Sequence, residues 1–186
     1  MAKRYSQASG DVTDRIVQLR EKHHAELKDV TIDGLFIFDD ESSDPVLMHQ
    51  GYPAAGLARI VPLRDRAAGL SDCQIIVDRA TWQGLAGEQK NALIDHELNH
   101  FEPAIDKHGK RKFDALDRPK MRIRKHDWQL GWFDCIAERH GEASLEVMTA
   151  RQLVAESGQL YFDFVSFTTT PAASRKSRTS ETRAPH

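Results

Sequence analysis

Asn91-Ala92-Leu93-Ile94-Asp95-His96-Glu97-Leu98-Asn99-His100-Phe101 places two histidines four positions apart, with a glutamate directly after the first. On an α-helix such residues stack on one face, so His96 and His100 can aim their imidazoles at a single ion, with Glu97 beside them. Neutral imidazoles suit Zn²⁺, and a catalytic zinc takes three protein ligands and keeps a fourth position for water. Zinc-bound water loses its proton near neutral pH. A carboxylate at Glu97 would take that proton as water attacks a carbonyl and return it to the leaving amine.

Chance gives this spacing in roughly one chain in forty of such composition, so spacing alone leaves room for two solvated histidines on an amphipathic helix. The neighbours argue otherwise. Leu93 lies one turn before His96, while Ile94, Leu98 and Phe101 recur at helical spacing on another side, which makes this a core helix. Histidines on a core helix need polar partners, and a metal supplies them.

With 186 residues the chain suits one domain with a real core. Its 40% hydrophobic and 29% charged residues are those of a globular protein, and the formal charge of −2 favours no class of partner globally. No apolar run has the length of a signal peptide core or a membrane span, from which we expect a soluble intracellular, cytoplasmic protein with no membrane partner. Cys73 and Cys135 each sit in an apolar pattern, without a Cys-x-x-Cys pairing, and read as buried free thiols.

Residues 1–10 read as a flexible N-terminus. Val12, Ile16, Leu19, His23 and Leu27 have helical spacing, with Asp11 as a candidate cap, and His23 and His24 are expected at the surface of that helix. Thr31–Phe38, Ala58–Val61 and Cys73–Val77 read as strands, the last one central because its run is apolar throughout. Trp82 and Leu85 mark a turn into the active helix, which starts near Gly87 and can run no further than Glu102, since Pro103 disfavours helical geometry before it. Residues 103–125 carry two turn signals and read as a hairpin or meander. Between Asp106 and Lys125 this stretch holds nine Lys and Arg against three Asp, either a solvated face or a surface for phosphate or an acidic substrate. His126–Gly141 and Ser144–Glu156 read as helices. Tyr161–Val165 could dock on the body, and residues 168–186 read as a disordered tail.

A third zinc ligand has to come from downstream, where His108, His126, Asp127, Asp134, Glu138 and His140 stand. His108 sits in a turn among cations. His126 is favoured, because the hairpin before it is long enough to bring the chain back to the active helix. Glu138, a carboxylate from a second helix, is its main competitor.

His96-Glu97-Leu98-Asn99-His100, Trp82 and the approach Glu88–Asp95 before it, and the isolated His126-Asp127 pair after it resemble the phage metallopeptidase family, small zincin-like proteins of phages and prophages. Gly56-Leu57-Ala58-Arg59-Ile60 is similar to the strand that family places before its active helix. The resemblance covers residues 30–142. It implies an α+β, zincin-like fold, with a small mixed or antiparallel sheet packed on the active-site helix and flanking helices, and the chain pattern sets the single domain at residues 11–167. It also implies a zinc ion held by His96, His100 and His126, Glu97 as catalytic carboxylate, and Asp127 either orienting an imidazole or adding a ligand.

Three functions compete at this stage. The first is a zinc metallopeptidase hydrolysing a protein or peptide substrate. The second is an SprT-like protease associated with nucleic acid through the Lys107–Lys125 stretch. The third is a non-catalytic protein, stabilised by a four-ligand zinc, that binds a host factor.

Overall fold

The computed structural model describes residues 3–126 and 132–157. The chain divides into Met1–Arg151 and Gln152–His186, and of the latter only the end of one helix is described. Strand β1 (Lys3–Gln7) leads into helix α1 (Gly10–His23) and strand β2 (Ile32–Asp39). A small hairpin, β3 (Met48–His49) and β4 (Tyr52–Pro53), precedes β5 (Gly56–Ile60), helix α2 (Leu63–Ala67) and β6 (Cys73–Asp78). Helices α3 (Arg79–Gly84) and α4 (Gly87–Asn99) follow, then β7 (Phe101–Pro103), β8 (Met121–Ile123), α5 (Asp134–His140) and α6 (Leu145–Ser157).

The main sheet is mixed, in the order β1-β2-β6-β5, with β2 and β6 parallel and both outer pairs antiparallel. Strand β6 is central and buried along its whole length, as its unbroken apolar run requires. One sheet face carries Phe36, Ile75 and Val77. Against it pack Val12 and Ile16 of α1 and Leu93, Ile94 and Leu98 of α4, with Trp82, Phe101 and Met121 completing the core. Each large side chain so buried contributes about 1.5–3 kcal/mol. On the other face Ile37 and Ile76 meet Leu47, which leads into β3. Asp78 anchors that segment by accepting hydrogen bonds from the backbone N–H groups of Val46 (2.7 Å) and Leu47 (3.0 Å). The result is an α+β fold with a small mixed sheet against α4 and helices beside it.

Several local expectations need correction. Residues 3–7 form a strand instead of a frayed end; every side chain of β1 is exposed, so no apolar alternation marked it, and backbone pairing with Leu35–Asp39 alone makes it. Helix α1 begins at Gly10 after Ser9, placing Asp11 in the first turn, where it pairs with Arg15 at 2.9 Å. His24 is 2% exposed rather than at the surface. Trp82 belongs to a helix, α3, whose N-terminus Asp78 caps through Thr81 N–H. Phe133 is extended (φ −116°, ψ 119°) and α5 starts only at Asp134, so no single helix runs from His126 to Gly141. Cys73 is buried and Cys135 half-buried, and both are free.

The nested turns after α4 are present: β7 pairs with β8, inside which Ile105 bridges Arg111 and Phe113 bridges Pro119. Residues 127–131, the Tyr161–Val165 segment and the tail from 168 lie outside the described residues. No helix among the described residues is long and apolar enough to cross a membrane.

Candidate metal centre

Helix α4 starts where Ala86 N–H donates to Gln89 Oε1 at 2.8 Å and ends at Asn99, with His100 as its C-cap (φ −72°, ψ −21°). The helix stops three residues short of the limit set by Pro103, because Phe101 turns into β7. His96 and His100 therefore occupy the last helical turn, and the chain leaves at once into the β7–β8 ribbon. That ribbon returns residue 124 to His100: Arg124 N–H donates to the His100 carbonyl at 2.7 Å, and the Arg124 carbonyl lies 2.8 Å from His100 Nδ1. Two residues later the chain brings His126 beside the helix.

The three imidazoles converge. One nitrogen from each of His96, His100 and His126 lies within 4.8 Å of the others, and Nε2 of His96 stands 3.2 Å from Nε2 of His126. Two ligands of a tetrahedral zinc, each about 2.0–2.1 Å from the metal, are separated by about 3.3 Å. The donor set and its spacing thus fit a small divalent ion that prefers nitrogen. Phe133 closes the apolar side, its ring centroid 4.9, 4.9 and 4.8 Å from those of His96, His100 and His126.

Both helical imidazoles are held from behind. Nδ1 of His96 lies 2.7 Å from Oε1 of Glu146, and Nδ1 of His100 donates to the Arg124 carbonyl. With Nδ1–H engaged, the Nε2 lone pair is left for an ion. Burial would lower the pKa of His96, but the Glu146 hydrogen bond and the charges of Glu97, Glu146 and Asp95 leave it raised. Burial dominates at His100 and pushes it down to about 4, the Arg124 carbonyl opposing and the other histidines reinforcing. His100 is accordingly neutral at pH 7, the form that binds metal.

Glu97 is 4% exposed and lies against β5. Burial raises its carboxyl to about 7, with the His96 charge and the Ala58 backbone N–H working against that and Glu146 adding to it. Such a group holds and releases a proton near neutral pH.

The other candidates go elsewhere. His108, Asp134 and Glu138 are exposed and outside the cluster, and Asp127 lies outside the described residues. His140 meets Asp95 at 2.7 Å, and so does His24 at 2.6 Å from the other side, while Arg139 reaches the same carboxylate at 2.6 Å. Asp95 is wholly buried. Burial alone would raise its pKa, but these three partners hold it well below the carboxylate range, tying α4 to α5 and to the end of α1. Of the cationic stretch, Arg118 is engaged by Asp72 at 2.8 Å, Arg122 by Glu102 at 2.6 Å and Arg111 by Asp29 at 3.7 Å, leaving mainly lysines facing solvent.

Sequence reasoning missed Glu146 and the Asp95 cluster. Glu146 lies in the first turn of α6, whose start Ser144 marks by accepting Val147 N–H at 3.2 Å. Only a Ser-x-Glu at a helix start pointed there, and that pattern says nothing of a histidine fifty positions away.

A mixed α+β domain with a His-Glu-x-x-His helix and a third imidazole returning beside it defines a metallopeptidase-type centre. The chain belongs to the family described as "Putative phage metallopeptidase", whose model matches residues 3–156. Strand β1 and the Glu146 helix, beyond the range of the resemblance read from motifs, fall inside that match. Neither the curated proteins nor the solved structures give a match.

Proposed function

We propose that this chain is a zinc-dependent peptidase, in which His96, His100 and His126 hold the metal and Glu97 is the general base. The observation that carries the reading is the convergence of three imidazole nitrogens beside a buried carboxylate whose pKa lies near 7. When bound, zinc supplies Lewis acidity, polarising a peptide carbonyl and making water acidic enough to lose a proton near neutral pH. Glu97 accepts that proton and hands it to the departing amine. Its burial keeps the proton from bulk water between the two transfers. Glu146 and the Arg124 carbonyl hold the imidazole planes, and Phe133 excludes solvent from their apolar side. The substrate on this reading is a protein or peptide, cleaved in the cytoplasm of a bacterial host.

Replacing Glu97 by Gln tests the assignment. Loss of the proton carrier lowers turnover by about 10²–10⁴ while one equivalent of zinc stays bound. A Glu97→Gln protein that cleaves casein or a peptide library as fast as the parent refutes it.

A further inference from the structure

Strand β5 is the edge of the main sheet nearest α4, and its side chains alternate between the two faces. Leu57 packs into the cluster on the far face, whereas Ala58 packs into the core on the α4 side. Gly56, two residues before Ala58, shares that α4 side. On that side the strand presents Gly56, Ala58 and Ile60, and it is small at the first two, where Glu97 lies. These two set how closely the helix approaches and where Glu97 comes to rest.

A Cβ on Gly56 would stand 2.6 Å from Oε1 of Glu97 and 2.9 Å from both its Cδ and Cγ. Carbon contacts become comfortable only at about 3.5–4.0 Å. The backbone does not ask for glycine here, because the glycines with positive φ are Gly51, Gly69, Gly109 and Gly141. Space does. Nor can Glu97 swing clear at little cost, since it is 4% exposed and a helical side chain has few χ1 wells to choose from. Ala58 completes the seat by turning its backbone N–H to the same carboxylate.

We propose that Gly56 is a positioning residue: the side chain it lacks leaves the space in which the Glu97 carboxylate lies, so any larger residue displaces the base from its place beside His96. The consequence for turnover rests on Glu97 being the proton carrier, as argued above, whereas the steric coupling between the two positions does not.

The test is a pair of measurements on the zinc-loaded full chain. In the first, Gly56→Ala and Glu97→Ala are combined in a thermal double-mutant cycle. Gly56→Ala lowers Tm by several degrees when Glu97 is present and by less than about a degree when position 97 is alanine, because the atoms it would strike are gone. If Gly56→Ala alone fails to fold, recovery of the fold in the double variant gives the same result. An equal Tm loss in both backgrounds overturns the proposal. In the second, Gly56→Ala lowers kcat at least tenfold with KM and zinc stoichiometry near those of the parent. An unchanged kcat overturns the positioning role. A parent protein that cleaves nothing refutes the peptidase reading instead, and the thermal cycle then decides the Gly56 seat by itself.

Discussion

Nδ1 of His96 meets Oε1 of Glu146 at 2.7 Å across fifty positions of sequence, and Glu146 is itself 4% exposed. The bond binds the first turn of α6 to the last turn of α4. A buried carboxylate accepting from Nδ1–H fixes the tautomer and raises the basicity of Nε2. Glu146→Ala should therefore weaken zinc binding by about 10–100-fold. Competition with a chromophoric chelator measures this, and equal affinity for parent and variant would remove Glu146 from the site.

Metal content separates the candidates for the third imidazole. His126→Ala should lose most of its zinc, whereas His108→Ala and Glu138→Ala keep it, since both side chains face solvent away from the cluster. Retention by His126→Ala with loss in Glu138→Ala, read by atomic emission on dialysed protein, would contradict the assignment.

The wholly buried Asp95 carboxylate holds His24, Arg139 and His140 together. Removing one partner from a buried charge cluster leaves the others uncompensated. Asp95→Ala should cost about 3 kcal/mol in urea unfolding, the lower end of that class because Arg139 keeps partial contact with water. A loss under about 1 kcal/mol would mean that the cluster is not what joins α1, α4 and α5.

Acid should destabilise the protein through Asp72 and Asp78 as well as through Asp95. Burial pushes the Asp72 and Asp78 carboxyls upward, but it is outweighed at Asp72 by Thr31 and Arg118, and at Asp78 by the N–H groups of Thr81, Leu47 and Val46, so both sit below 3.8. A carboxyl depressed in the folded state contributes stability that is complete above its unfolded value and lost as pH falls through the folded one. The part of the stability that these two carboxylates supply is therefore complete above about pH 5 and falls increasingly below pH 4. Asp72→Asn should flatten that fall, and a variant with the parent's slope would assign the acid sensitivity elsewhere.

Much of the centre is legible in the sequence. The spacing of His96 and His100 follows from the helical period, the start of α4 from Gly87, and the central place of β6 from its apolar run; each is a local rule acting within one element. The return of His126 was legible in outline, because two turn signals between residues 103 and 125 imply a ribbon that reverses the chain.

What the sequence determined by itself is thus the periodic part: the helix, its paired imidazoles, the carboxylate between them, and the strands whose side chains alternate or are apolar throughout. Only the tertiary structure decided that Glu146 backs His96, that two histidines and an arginine converge on Asp95, that β1 joins an edge by backbone alone, and that Gly56 lies against Glu97. These contacts link residues far apart in the chain. Their partners are chosen by how whole elements pack, which no local periodicity encodes.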